Sequence, residues 1–140
     1  MSINKTTVSG FFPVYIVKDL DGVKPFYTQH FDFRVVFEAD WYIHLISEQG
    51  TQFGFMIQNH DSQPEMFWKA YDGEGIIYSI EVNDAKSEYE KFKKSTVPIL
   101  LELKDEEWGQ RHFVIEDPNG MKIDIVQHIE PTEEYKEQYQ

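Results

Sequence analysis

Along this chain, stretches in which apolar and polar residues alternate are interrupted at two places by a helical pattern. The clearest alternation runs from Trp108 to Gln127 (WGQRHFVIEDPNGMKIDIVQ). Phe113 and Ile115 alternate with His112, Val114 and Glu116, and Met121, Ile123 and Ile125 alternate with Lys122, Asp124 and Val126. Between the two arms stands Asn119-Gly120, the strongest short hairpin signal, with Pro118 presetting the approach and the pair expected to supply positive φ at the turn's centre. One face of this hairpin packs on a core and the other is partly polar.

The same order of elements occurs twice. Val14 to Phe31 reads as an apolar strand, an Asp and a helix, and Ser79 to Phe92 repeats that order, with Asp19 matching Asp84 and Tyr27 matching Phe92. The first half is predicted as strand 11–18, helix 20–31, and strands 34–39, 41–47 and 51–58. The second is predicted as strand 75–83, helix 85–94, and strands 99–104, 109–116 and 121–128. Asp19 and Asp84 sit where helix N-caps belong, and Ala85, Tyr89 and Phe92 form an apolar stripe. The pattern predicts an α+β fold of two βαβββ modules, 8–59 and 75–128, with a connector or lid at 60–74 and a polar tail at 129–140. In the connector, Ser62-Gln63-Pro64-Glu65 has capping-box character ahead of a short helix with Met66, Phe67, Trp68 and Tyr71 on one face. Thr132 is the expected N-cap of a short helix in the tail, whose deletion should leave folding intact.

Composition narrows the chemistry. At 41% hydrophobic and 16% aromatic, 140 residues suffice for a good-sized core without staples. The absence of cysteine removes thiolate chemistry, disulfides and cysteine zinc sites. A net charge of −12 argues against nucleic acid and against anionic membranes. With no apolar leader and no run long enough to span a membrane, the expectation is a cytoplasmic protein.

The order VYIVKDLDGVKPFY near the start, with WGxRxF and DPNG near the end, resembles the glyoxalase/bleomycin-resistance/extradiol-dioxygenase superfamily, the vicinal oxygen chelate fold. The likeness covers roughly residues 8 to 128 and is greatest to the metal-free, bleomycin-resistance branch. It implies curved sheets whose concave sides form a cleft, usually completed in a homodimer. It also implies where the enzymes of the family carry metal ligands, and these positions here are Phe12, Gly54, Ile77 and Asp124. One carboxylate falls short of the three or more ligands usual for zinc or iron. No catalytic residue, metal or cofactor is therefore assigned.

What remains is a cleft suited to holding a small molecule. Its expected ligand-binding residues are Phe12, Trp41, Gln52, Met56, Trp68, Ile77, Ser79, Glu81, Trp108, Gln110, His112 and Asp124. The three tryptophans offer stacking faces, although Trp41 and Trp108 are equally suited to sheet and edge packing. Trp68 belongs to a lid or to a dimer contact. His112 is read as a hydrogen-bonded strand histidine, or as part of a rebuilt metal site with Asp124 and either Glu81 or Glu116. Asp124 is read as an acceptor for a cationic ligand, or as a strand carboxylate paired with Lys122 or Arg111. The expected function is sequestration of a planar apolar or cationic compound by a homodimer. The alternatives are a metal-dependent lyase, isomerase or dioxygenase with a rearranged site, and a partner-binding dimer with a vestigial cleft.

Overall fold

The computed structural model describes residues 4–140, and the chain divides into two compact units, Met1–Tyr71 and Asp72–Gln140. The first contains β1 (Val14–Val17), α1 (Val23–His30), β2 (Arg34–Glu38), β3 (Tyr42–Ile46) and β4 (Gln52–Ile57). The second contains β5 (Ile77–Glu81), α2 (Ala85–Lys93), β6 (Ile99–Glu106), β7 (Gln110–Glu116), β8 (Lys122–His128) and α3 (Glu133–Lys136). Each unit is one mixed four-stranded sheet, in the orders β1-β4-β3-β2 and β5-β8-β7-β6, with the parallel pair β1/β4 or β5/β8 at one side. The two βαβββ modules of the sequence reading are present, element for element.

The alternation of side chains explains how each sheet buries one face. In the first, Tyr15, Val17, Ile43, Leu45, Phe53 and Phe55 are buried on the side covered by α1. Tyr27 of that helix meets Phe53 and Phe55 at ring-centroid distances of 5.1 and 5.2 Å. In the second, Phe113, Ile115, Ile123 and Ile125 are buried, and Tyr89 and Phe92 of α2 reach Phe113 at 5.2 and 6.0 Å. Each fully buried aromatic contributes on the order of 1.5–3 kcal/mol by leaving water. Helices of eight and nine residues are marginal alone, so this packing holds them. Tyr27 and Phe92, matched in the sequence, are both fully buried, the first against β4 and the second against β7.

The two helix starts differ. Asp84 is the N-cap of α2, its side chain accepting from Ser87 N at 3.1 Å. Asp19 is not the cap of α1: its carboxylate accepts from Gly22 N at 3.0 Å, and Val23 N bonds Leu20 O at 3.2 Å. A turn therefore intervenes, and the helix begins three residues later than expected. Pro25 then falls in the first turn, where a missing N–H costs nothing.

The β7–β8 hairpin also departs in detail from expectation. Gly120 N bonds Asp117 O at 3.1 Å and Asp117 N bonds Met121 O at 3.0 Å, and Gly120 alone carries positive φ, at 80°. This is a three-residue loop, a type I turn followed by a left-handed glycine, rather than a two-residue turn with Asn119 also left-handed. The β3–β4 hairpin is built alike: Gly50 N bonds Ser47 O at 3.0 Å, Ser47 N bonds Thr51 O at 2.9 Å, and Gly50 has φ 90°. Ser47 and Asp117 thus hold equivalent places in the two modules.

Of the connector, residues 60–71 fall in the first unit and 72–74 in the second. Asn59 N bonds Trp68 O at 3.0 Å and Tyr71 N bonds Ile16 O at 2.7 Å, folding residues 60–71 back along β1. Its helix is a single 3-10 turn, Glu65–Phe67, with Pro64 at the N-cap. The expected capping box is absent: the turn starts at Glu65, too late for Ser62 to cap it, and the Ser62 hydroxyl bonds His60 Nδ1 at 2.8 Å.

Candidate ligand-binding site

The face of the first sheet away from α1 carries a cavity of about 570 Å³ lined by Val14, Ile16, Phe37, Trp41, Tyr42, His44, Met56, Gln63 and Phe67. Strand register explains the assembly. Val14 stands beside Gly54, Ile16 beside Met56, His44 beside Gly54 and Tyr42 beside Met56, so these side chains share one face. An irregularity between Val35 and Phe37 pairs Phe37 with His44 and brings its ring to the same face. The connector supplies Gln63 and Phe67.

Within this apolar wall lies one ordered polar group. The Tyr42 hydroxyl is 2.7 Å from His44 Nδ1, and His44 Nε2 is 2.8 Å from Gln52 Oε1. The Phe12 ring meets His44 edge-on at 4.8 Å, and Trp41 stacks on His60 at 5.1 Å. Gly54 is what lets Tyr42 lie where it does: a Cβ there would overlap the phenol. Burial pushes the Tyr42 hydroxyl above its ordinary pKa, so it stays protonated.

Of the residues expected from the sequence, Trp41 and Met56 line this cavity, while Phe12 and Gln52 hold His44. Trp68 is outside the lining, and its indole N–H donates to the Gln63 carbonyl at 2.8 Å. Phe37, Tyr42, His44, Gln63 and Phe67 were not among the expected residues.

The remaining expected residues lie in the second unit. Ser79 pairs with Asp124, Glu81 with Val126, and Val126 with His112, which puts one face of that sheet in common, with Ile77 exposed at its end. His112 is buried and bridges two carboxylates, with Nδ1 2.7 Å from Asp124 Oδ1 and Nε2 2.8 Å from Glu106 Oε2. Burial alone would lower its pKa, but the two carboxylates raise it overall. Asp124 is thus paired with His112, not with Lys122 or Arg111, which form ion pairs with Glu116 and Asp105. Glu106 takes the place expected of Glu81 or Glu116, and Glu81 instead faces His128 at 3.1 Å.

Trp108 and Gln110 bond each other, indole N–H to Oε1 at 2.9 Å, and Tyr135 of α3 packs on the Trp108 ring at 6.2 Å. Thr132, the N-cap of α3, donates its N–H to Glu107 O at 2.9 Å. Several of the conspicuous WGxRxF and DPNG residues bond one another or their neighbours within the unit. Arg111 grips Asp105 through two bonds of 2.7 and 3.0 Å, and the buried Asp117 accepts from Asn119 N and Met121 N at 2.8 Å each.

A model of the Glyoxalase/Bleomycin resistance protein/Dioxygenase superfamily matches residues 6–125. The chain belongs to this superfamily. No curated protein matches the sequence. Among solved structures it is similar to a glyoxalase/bleomycin resistance protein/dioxygenase from Nocardioides, with TM-score 0.73 and 12% identity over 92% of this chain and 87% of that one. A superfamily member from Sphaerobacter thermophilus gives TM-score 0.68 and 20% identity, covering 86% and 98%. A bleomycin-binding protein complexed with bleomycin gives 0.59 and 17%, covering 86% and 99%. At these identities the structures speak for the fold, and function has to be argued from the site.

At the four positions that the resemblance matches to metal ligands, the side chains offer one carboxylate. Phe12, Gly54 and Ile77 carry no donor atom, and Asp124 is engaged by His112. Among the described residues, no three His, Asp or Glu side chains are grouped to bind one. No helix of the described residues is long and apolar enough to cross a membrane.

Proposed function

We propose that this chain is a small-molecule-binding protein that holds an apolar, flat ligand in the cavity of its first unit, without a resident metal ion and without chemistry. The observation that carries the reading is the cavity itself. At about 570 Å³ it is within the size range of small-molecule sites, roughly 300–1,000 Å³, and its wall is apolar and aromatic around a few placed polar groups. The missing donors at Phe12, Gly54 and Ile77 and the structural likeness to a bleomycin-binding protein support the same reading.

The test is calorimetric titration of the purified full chain with neutral polycyclic aromatics, alongside its metal content. Saturable binding at one site per chain, unaffected by a chelator and weakened by Trp41→Ala, is the expected result. Binding that needs a stoichiometric metal ion would overturn it and favour the metal-enzyme reading.

Homodimer formation is part of the proposal. The edge strands β2 and β6 expose Val36, Phe37 and Leu100, and closed two-fold pairing is the commonest way to cover such edges. Sedimentation as a monomer at micromolar concentration would overturn this part.

A further inference from the structure

We propose that the cavity selects an uncharged polycyclic ligand bearing an O–H or N–H donor, read by the oxygen of the Tyr42 hydroxyl. This rests on the small-molecule reading above and makes it specific.

The direction of the polar relay carries the argument. We infer the His44 tautomer from Gln52, whose amide oxygen stands 2.8 Å from Nε2 and so assigns the ring proton to that nitrogen. Nδ1 is then an acceptor, and the Tyr42 hydroxyl, 2.7 Å away, donates to it. Its proton is spent, as are both nitrogens of His44. What Tyr42 still offers is a lone pair on oxygen, an acceptor that a ligand donor can use. Gly54 makes room for the phenol in this position. Gln63, from the connector, carries an amide that can turn either way and so imposes no direction.

The absence of charge in the wall sets the rest of the preference. No Asp, Glu, Lys or Arg is among the lining residues. A charged ligand would leave water without an opposite charge to meet it, at a large cost. The carboxylates expected from the sequence to attract a cation, Glu81 and Asp124, are in the second unit and bonded to His128 and His112.

The experiment compares four probes by calorimetry on the full chain: 2-naphthol, 2-methoxynaphthalene, 2-naphthoate and trimethyl-2-naphthylammonium. Both neutral probes should bind more tightly than either ion. 2-Naphthol should exceed its methyl ether by roughly three- to tenfold, the worth of one hydrogen bond. Tyr42→Phe should remove that difference. His44→Leu, which frees the Tyr42 proton to donate, should narrow or reverse it. The series on the unmodified chain stands whether or not a variant folds, and each variant is checked by its thermal melt. Tightest binding of the cation, or a 2-naphthol preference that survives Tyr42→Phe, overturns the inference. Equal binding of all four overturns it and leaves the small-molecule reading standing, while no binding of any probe overturns both.

Discussion

His112 Nδ1 lies 2.7 Å from Asp124 Oδ1 across the β7–β8 pair, and the opposite nitrogen of the same ring lies 2.8 Å from Glu106 Oε2. The imidazole is clamped between two carboxylates on a sheet face where its side chain is only 9% exposed. As an imidazolium it satisfies both at once. As a neutral ring it can donate to only one.

Stability should accordingly depend on pH through this cluster. Burial works against the charged ring, but the bonds from Glu106 and Asp124 prevail and raise the His112 pKa above 6.5. Below that value the ring is protonated folded and unfolded, and its contribution is complete; it is lost as pH rises through the raised folded value. Glu106 acts in the opposite sense: the bond from His112 holds its carboxyl below 4.5 despite partial burial, with Lys104 assisting. Its contribution is present above 4.5 and is lost as pH falls through the lowered value. Thermal melts from about pH 5 to about pH 9 should decline on the alkaline side, and Asp124→Asn should shrink that decline. A decline equal to that of the unmodified chain in Asp124→Asn would place its cause elsewhere.

The equivalent hairpins provide a paired measurement. Asp117 is 4% exposed and accepts from Asn119 N and Met121 N. Ser47 accepts only from Thr51 N, at 3.0 Å, in an exposed loop. Asp117→Ala orphans two amides, one of them buried, and should cost about 2–4 kcal/mol in urea unfolding, against about 1 kcal/mol or less for Ser47→Ala. Equal costs would mean that the carboxylate does not organise the turn.

The sequence made the scaffold legible because burial in a sheet imposes a period of two, which Phe113, Ile115, Ile123 and Ile125 follow, with His112 and Val126 buried on the opposite face as well. Asp84 was legible for a similar reason, since an N-cap is a local device. Asp19 misled because the same side chain serves a turn equally well. Glu106 escaped notice because β6 was expected to end at Lys104; it continues, pairs Glu106 with Gln110, and carries the carboxylate to His112. The relay of Tyr42, His44 and Gln52 depends on cross-strand register, which periodicity does not supply. Two signals pointed towards it: Tyr42 and His44 are two apart on one strand, and an isolated glycine within the next strand marks a close approach.

The C-terminal segment should act on Trp108 rather than on the core. Tyr135 packs on the Trp108 ring, the Tyr139 hydroxyl donates to the Trp108 carbonyl, and Thr132 N bonds Glu107 O. Deleting residues 131–140 removes all three contacts while leaving every β7–β8 ladder bond in place. The truncated chain should fold, with tryptophan emission shifted to the red, and that shift should vanish in a Trp108→Phe background. Loss of cooperative unfolding on truncation would show that the tail is part of the core.

Gly54 offers the most direct link between backbone and binding. A methyl group at this position would overlap the Tyr42 phenol, so Gly54→Ala forces the ring to leave. Displacing it breaks the bond to His44 Nδ1 and fills the cavity wall beside Val14. The phenol is the free end of a side chain at the cavity wall and can swing clear, so the loss is close to that of one hydrogen bond, about 1 kcal/mol, which urea unfolding would register. In a Tyr42→Ala background Gly54→Ala should cost little, because the methyl then occupies space the phenol has vacated. Binding of neutral aromatics should weaken in the single variant, with the preference for 2-naphthol over its methyl ether lost in both. If Gly54→Ala were as stable as the unmodified chain and kept that preference, Tyr42 would have another place to stand, and the glycine would no longer account for the position of the hydroxyl.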